Sequence, residues 1–193
     1  MLFRFITLSR IQAAEPMPDP IVVDLSSVVA EAVDRVRMKA SARGIELAAV
    51  CEERVAVLGD EDLLVTALRN LLENAIAYSP DKTRVMISAS RDARAAQISV
   101  ADQGIGIPER DLQRIFERFY RVDPARSRAT GGTGLGLAIV KHVMAAHRGK
   151  VTVWSEEGVG STFTLQMPIV NKPPTAGGRS AGGHAQHVRE AVK

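Results

Sequence analysis

A polar stripe runs along one long predicted helix, which begins at Asp60 and reaches about Tyr78. At about 100° per residue the stripe comprises Thr66, Asn70, Glu73, Asn74 and Tyr78. Asparagine is a mediocre helix former, so two of them one turn apart are unfavourable unless their side chains have a task. A carboxamide oxygen suits a Mg²⁺ ion that already carries phosphate oxygens, and an aromatic ring one turn later can lie on a base. The alternative is an ordinary solvated helix face.

A carboxylate followed by two glycines stands at the end of a predicted strand, in ADQGIGIPE. Asp102 only accepts hydrogen bonds, so it suits the exocyclic amine of adenine and would repel phosphate. Gly104 and Gly106 permit a positive φ or a close approach of backbone. The same letters are a common turn signal, and both interpretations stay open at this point.

A second glycine cluster lies where an apolar helix begins, in GGTGLGLAIVKH; its members are Gly131, Gly132, Gly134 and Gly136. Backbone N–H groups exposed beside the positive end of a helix are typical of phosphate sites. A flexible loop would explain the first two glycines but not Gly136, which falls inside the helical pattern. A Walker A loop is excluded, because Leu137 and Ala138 stand where Lys and Ser or Thr are needed.

Between the two glycine segments lies RIFERFYRVDPARSRATGG, which is strongly charged and holds three of the eight aromatic residues of the chain. A mobile flap with aromatic anchors has this composition, and so does an ordinary amphipathic helix. Four of its arginines are available to a γ-phosphate, namely Arg118, Arg121, Arg126 and Arg128.

Three helices and about five strands are predicted to position these residues. The first helix is capped by Asp24 or Ser26 and runs to about Ala42, and the third ends near His147. Period-two patterns predict that IELAAV pairs with RVAVLGD, RVMISAS with AAQISVAD, and KVTVWS with STFTLQMP. The fold class is therefore α+β: a two-layer α/β sandwich with three helices on a mixed, mostly antiparallel five-stranded sheet.

Length and charge limit the possible functions. A chain of 193 residues with one cysteine, Cys51, is one domain without a disulfide framework. Residues 171–193 carry the whole net charge of +3, so residues 1–170 are neutral and lack the basic surface of a nucleic-acid binder. No stretch has the length of an apolar membrane span, and MLFRFITL is too short for a signal peptide.

Four segments, in this order, resemble the catalytic ATP-binding domain of sensor histidine kinases, a branch of the GHKL superfamily. LRNLLENAIAYSP resembles the N box, DQGIGI the first glycine box, FERFYR the F box and GGTGLGLAIVKH the second glycine box. The sequence from RIFERFYR to AIVKHV is most similar to that of phosphate-responsive sensor kinases of actinobacteria. The resemblance covers about residues 21–168 and implies the Bergerat ATP-binding fold.

The resemblance implies ATP and Mg²⁺ as cofactors and assigns roles to individual residues. Asn74 would hold the metal with Asn70 on the same face, Asp102 would bind the adenine amine, and Tyr78 would stack on the ring. Residues 121–133 would form the lid over the nucleotide, with Arg121 at the γ-phosphate. The glycine boxes would complete the nucleotide site with Gly104, Gly106, Ile107, Gly132, Thr133, Gly134, Leu135 and Gly136.

Two features depart from the family pattern. Many relatives have a Lys where this chain has Ala77, so a phosphate contact is either missing or supplied by Lys82. No phospho-accepting histidine box is present, and His142 and His147 lie on the third helix, where His142 is interpreted as structural. Residues 1–20 are expected to be the remnant of a dimerisation helix with a linker, residues 21–170 the kinase-like domain, and residues 171–193 a disordered tail.

These features lead to two hypotheses. In the first, the chain transfers the γ-phosphoryl group of ATP to a histidine of another polypeptide, in the cytoplasm, with an acceptor-histidine domain and a response regulator as partners. In the second, it is a non-catalytic nucleotide-binding module that titrates a regulator or an intact kinase. A hydrolytic relative is expected to have Glu in place of Asn70, and Glu73 is the substitute candidate for that role. The oligomeric state stays open.

Overall fold

The computed structural model describes residues 20–53, 55–122 and 133–169. These residues form a five-stranded sheet with helices packed against it. The elements in chain order are β1 (Ile21–Asp24), α1 (Leu25–Ala42), β2 (Glu46–Cys51), β3 (Ala56–Gly59), α2 (Glu61–Tyr78), β4 (Arg84–Arg91), β5 (Ala95–Ala101), α3 (Gly136–Ala146), β6 (Lys150–Glu156) and β7 (Gly160–Pro168). The sheet has the order β2-β4-β5-β7-β6, and β1 pairs with β3 in a separate ribbon. The predicted fold class is confirmed.

The core lies between the sheet and the helices. Alternate residues of the central strands are buried, as Ile87 in β4, Ile98 in β5 and Leu165 in β7 illustrate. The apolar stripe of α2 packs against them, and its members are buried: Leu64, Leu68, Leu71, Leu72 and Ala75. Burial of this stripe fixes how α2 is rotated, and therefore where its polar residues point.

Aspartates begin both long helices, as predicted. Asp24 accepts a hydrogen bond from the Ser26 N–H at 2.9 Å, and Asp60 accepts one from the Leu63 N–H at 3.0 Å. Gly44 follows α1 with φ of +62°, a conformation that costs glycine little.

The predicted pairing of IELAAV with RVAVLGD is wrong. β2 instead pairs in parallel with β4, with Leu47 opposite Val85, and β3 pairs antiparallel with β1, with Val57 opposite Val23. Parallel neighbours need a long crossover, and the segment containing α2 supplies it between β2 and β4. The hairpins β4–β5 and β6–β7 are antiparallel, as predicted.

The remaining expectations concern short or terminal segments. After Pro108 the chain forms two single 3₁₀ turns, Glu109–Asp111 and Arg114–Phe116. The segments proposed as a dimerisation remnant and as a tail lie almost entirely outside the described residues, at 1–19 and 171–193. In the part of the chain that is described, none of the helices combines the length and apolarity needed to cross a bilayer.

Candidate functional site

Asp102 follows β5 and is held from two sides. Its Oδ1 accepts hydrogen bonds from the Gly104 N–H at 2.8 Å and from the Ser161 N–H at 3.2 Å, and neither bond uses Oδ2. Burial raises the pKa of this carboxyl above its ordinary value, and the two N–H groups oppose the shift only in part. The side chain is therefore a rigidly oriented acceptor with one oxygen turned to other tasks.

The two glycines of the loop after Asp102 let the backbone pass between two neighbours. A Cβ on Gly104 would lie 2.9 Å from the Tyr78 carbonyl oxygen, at the end of α2. Gly106 has φ of +71°, and a Cβ there would collide with the Glu156 carbonyl. The loop thus lies against the last turn of α2 on one side and the β6–β7 turn on the other.

Two serines that the sequence did not single out hold this loop in place. Ser155 Oγ accepts from the Ile107 N–H at 2.9 Å, donates to the Gly160 carbonyl at 2.9 Å, and lies 2.9 Å from Ser161 Oγ. The Ser161 carbonyl accepts the Asp102 N–H, and the Ser161 N–H donates to Asp102 Oδ1. A serine in a period-two strand looks like a solvated position, so no sequence signal could have found this network.

Asn70 meets the first residue of α3. Its Nδ2 donates to the Thr66 carbonyl at 2.8 Å, and a Cβ on Gly136 would lie 3.1 Å from its Oδ1. The glycine inside the helical pattern is thereby explained, because a side chain would crowd the amide. Among the described residues no side chain caps α3 at Leu135, so N–H groups of its first turn are left for another acceptor.

The second glycine segment is tied to the F-box segment. The Phe119 N–H donates to the Gly134 carbonyl at 2.9 Å, and both residues have positive φ, +65° and +69°. Thr133 is exposed and Leu135 half-buried. Gly132, and most of the segment predicted as a lid, lie outside the described residues.

Arg121 contains a buried donor without an acceptor. Its Nη2 has no hydrogen-bond partner within the described residues although it is shielded from solvent. Leaving a buried guanidinium N–H unpaired is costly, and an anion would remove that cost. This property fits the predicted contact with a phosphate group.

The polar stripe of α2 is divided between two neighbours. Asn74 and Tyr78 are half-buried and follow Asn70 at one-turn intervals, toward the Asp102 loop. Glu73 instead accepts from Lys39 Nζ of α1 at 2.7 Å. Lys82 is exposed with φ of +62° and lies against Gly44 at the end of α1. The predicted roles of Glu73 and Lys82 stay predictions.

The residues brought together fit a magnesium nucleotide chemically. An oriented carboxylate suits an amine, two amide-bearing side chains suit a hard cation, and an uncapped helix start suits phosphates. The described residues contain no cluster of three or more His, Cys, Asp or Glu side chains able to hold a metal by themselves. A cation at this site would therefore depend on oxygens of the ligand as well as on Asn70 and Asn74.

Residues 59–171 match the family model described as histidine kinase-, DNA gyrase B- and HSP90-like ATPase. The sensor-like histidine kinase SenX3 of Mycolicibacterium smegmatis is 54% identical over 173 residues, which is 90% of this chain and 45% of that protein. The phosphate regulon sensor protein PhoR of Pseudomonas aeruginosa is 37% identical over 167 residues, 86% of this chain and 38% of that protein. The chain thus spans less than half the length of these curated relatives.

Solved structures show the same architecture. The mycobacterial sensor histidine kinase MprB superposes with a TM-score of 0.69 at 32% identity, over 80% of this chain and 99% of that chain. Full-length ShkA, crystallised in complex with AMPPNP, gives a TM-score of 0.74 at 29% identity, over 88% of this chain and 35% of that chain.

Proposed function

The chain belongs to the histidine kinase-, DNA gyrase B- and HSP90-like ATPase family, and from this premise we propose that it is the ATP-binding catalytic domain of a sensor histidine kinase. It transfers the γ-phosphoryl group of ATP to a histidine supplied by another polypeptide or domain. The observation that carries the proposal is the convergence of Asp102, the amide-bearing face of α2 and the uncapped start of α3.

Each part of the site has one task in this proposal. Asp102 Oδ2 accepts the exocyclic amine of adenine, and the Tyr78 ring lies along the base. Asn74, with Asn70 beside it, would hold Mg²⁺, which would supply neutralisation of charge on the phosphate oxygens. Gly132, Gly134 and Gly136 leave room for the triphosphate beside the start of α3, and Arg121 reaches the γ-phosphate. Thr133, Leu135, Gly104, Gly106 and Ile107 shape the surrounding backbone.

The chemical step needs little from the protein beyond position and charge. The bond between the γ-phosphorus and the oxygen that remains on ADP breaks, a bond from an imidazole nitrogen to that phosphorus forms, and the ring proton passes to solvent. The imidazole is itself the nucleophile, so no base is needed to activate water. The ion pair of Glu73 with Lys39 supports transfer over hydrolysis, because it occupies the one carboxylate suggested as such a base.

The partners follow from the same chemistry. The proposal requires an acceptor-histidine domain and then a response regulator that takes the phosphoryl group from it. Since ATP is the donor, the reaction belongs on the cytoplasmic side of the cell. The phosphate-responsive class of the relatives, represented by PhoR, suggests the type of signalling system without naming its stimulus.

A second candidate is a nucleotide-binding module without turnover. His147, directly after α3, is not a free acceptor, because it is buried with both ring nitrogens hydrogen-bonded. Ala77 also lacks the charge that many relatives place there. Both facts are compatible with a chain that binds ATP and a partner but transfers nothing.

Phosphoryl transfer tests both candidates. The chain is mixed with γ-labelled ATP, Mg²⁺ and a purified acceptor-histidine domain encoded by the same genome, and the His→Gln variant of that domain serves as the control. Acid-labile label on the acceptor, absent from the control, supports the kinase. Tight Mg·ATP binding without transfer supports the module. A folded sample that neither binds Mg·ATP nor transfers the label contradicts both candidates.

A further inference from the structure

Arg43 ends α1 and reaches the end of another helix. Its backbone N–H bonds the Ala40 carbonyl of its own helix, while its guanidinium extends across to the last turn of α2. Only about a third of this side chain is exposed, at 35%. The residue therefore joins the first helix of the domain to the helix that carries Asn70, Asn74 and Tyr78.

The guanidinium binds the carbonyl groups that a helix leaves unpaired at its C-terminal end. Nη1 donates to Ile76 and, at 3.4 Å, to the Ala77 carbonyl, and Nη2 donates to the Ser79 carbonyl at 2.9 Å. Nε donates to Asp81 Oδ1 at 2.8 Å, which holds the fork in its plane. A cation is favourable at this end of a helix, and the planar fork of arginine reaches several acceptors at once.

The carbonyl that Arg43 does not bind is bonded on the opposite side of the turn. The Tyr78 carbonyl accepts from the Ile105 N–H at 3.3 Å, and Gly104 lies against the same oxygen. The last turn of α2 is thus fixed between Arg43 and the loop that carries Asp102.

We propose that Arg43 is a positioning residue for the adenine end of the nucleotide site. The inference rests on the proposed function, since it assumes that adenine lies between Tyr78 and Asp102. Arg43 touches neither base nor phosphate in this proposal; it acts by keeping the C-terminal turn of α2 in register with the Asp102 loop.

The test compares nucleotide affinities of the whole chain by calorimetric titration with Mg·ATP and Mg·ADP, well below the unfolding temperature. Arg43→Met removes all the carbonyl contacts. Arg43→Lys keeps the charge but not the fork, and it also serves if the Met variant does not fold. Arg35→Met is the matched control, because Arg35 lies on the same helix, is similarly exposed at 38%, and pairs with Glu31 of its own helix instead of α2.

Loss of charge-assisted hydrogen bonds to α2 is expected to lower the affinity for ATP and for ADP about tenfold in Arg43→Met and less in Arg43→Lys. The affinities of Arg35→Met are expected to be unchanged. The ratio of the ADP to the ATP dissociation constant stays at the wild-type value, because the γ-phosphate end is undisturbed. Wild-type affinity in both Arg43 variants, a changed ratio, or an equal loss in Arg35→Met overturns the inference. Failure of the wild type itself to bind either nucleotide contradicts the proposed function instead.

Discussion

At the residue scale, the two carboxylate oxygens of the half-buried Asp102 have different roles: Oδ1 is held by the backbone, and Oδ2 is proposed to bind adenine. Its Oδ1 is fixed by two backbone N–H groups, so an asparagine carrying the same oxygen keeps both bonds. The amide nitrogen that replaces Oδ2, however, donates a hydrogen bond and would repel an adenine amine. Stability and binding therefore make opposite demands at this position.

Asp102→Asn is predicted to stabilise the nucleotide-free chain and to weaken its binding of ATP. Because burial raises the pKa of Asp102, the folded chain binds that proton more tightly than the unfolded chain, and ionisation costs stability as the pH rises through the raised pKa. The gain from Asn is absent below the ordinary aspartate pKa of about 3.9 and present at neutral pH. Urea unfolding across this pH range measures the gain, and competition between ATP and GTP measures the loss of adenine preference.

Asp92 provides the control of opposite sign. The N–H groups of Arg94 and Ala95 lower the pKa of this exposed carboxyl, so its charge stabilises the fold above the unfolded pKa and that contribution is lost as the pH falls. Asp92→Asn is expected to lower stability slightly at neutral pH and to leave nucleotide binding unchanged. Unaltered adenine preference in Asp102→Asn would remove Asp102 from the site.

Two glycines only two positions apart are predicted to respond differently to alanine. Gly136→Ala adds a good helix former to α3 but puts a Cβ 3.1 Å from Asn70 Oδ1. We expect stability to be kept and Mg·ATP affinity to fall about tenfold, as for other residues that orient a metal ligand. Gly134→Ala, at φ of +69° and 2.8 Å from Phe119 Cα, is expected to lose about 1–2 kcal/mol of stability.

Thermal unfolding and titration of both glycine variants separate the two effects. Wild-type affinity in Gly136→Ala would show that Asn70 does not face the nucleotide.

Sequence chemistry predicted several residues of the site and missed those that support them. Asn70 and Gly136 stand out in the sequence because their types are unfavourable inside a helix, and Asp102 because a carboxylate precedes two glycines. Ser155 and Arg43 were not, because serine in a strand and arginine at a helix end are unremarkable until the fold brings their partners near. Glu73 was grouped with the asparagines because helix geometry gives a face but not the neighbour that covers it.

At the element scale, one histidine links two helices. His147, directly after α3, accepts the Asp60 N–H on Nε2 at 3.1 Å and bonds the Val143 carbonyl through Nδ1 at 2.8 Å. Asp60 also caps α2, so this bond attaches the start of α2 to the end of α3. Both helices border the candidate site, and their relative position depends on the bond.

His147→Phe is predicted to destabilise the chain by about 1–3 kcal/mol, because it leaves the buried Asp60 N–H without an acceptor. The shift of the urea midpoint measures this loss. The control is His142→Phe, at a half-buried position within α3, and it is expected to change the midpoint little. Equal midpoints for wild type and His147→Phe would mean that another group satisfies Asp60.

Local patterns predicted the elements better than their pairing. β4–β5 and β6–β7 are hairpins whose alternation and short turns lie within one stretch of sequence. The partner of β2 lies beyond α2, and the partner of β3 is a four-residue strand before α1. Such contacts depend on packing of the whole chain, which a local pattern does not contain.

At the scale of the whole molecule, the described residues form a sandwich in which one helix, α2, contacts two parts of the candidate site, the start of α3 and the Asp102 loop. Its apolar stripe is buried against the sheet, its amide-bearing face meets α3, and its last turn meets the Asp102 loop. The chain covers less than half of its curated relatives. We therefore propose that the domain acts with an acceptor histidine other than the two that the structure describes, His142 and His147.

Titration of the chain with ATP, with and without Mg²⁺, tests this proposal most directly. We predict binding that weakens at least about tenfold when Mg²⁺ is chelated, and loss of that dependence in Asn74→Ala but not in the control Gln97→Ala, whose amide lies on β5. A folded sample that shows neither heat nor thermal protection with any purine nucleotide would contradict the nucleotide site. Binding with unchanged Mg²⁺ dependence in Asn74→Ala would contradict the metal assignment.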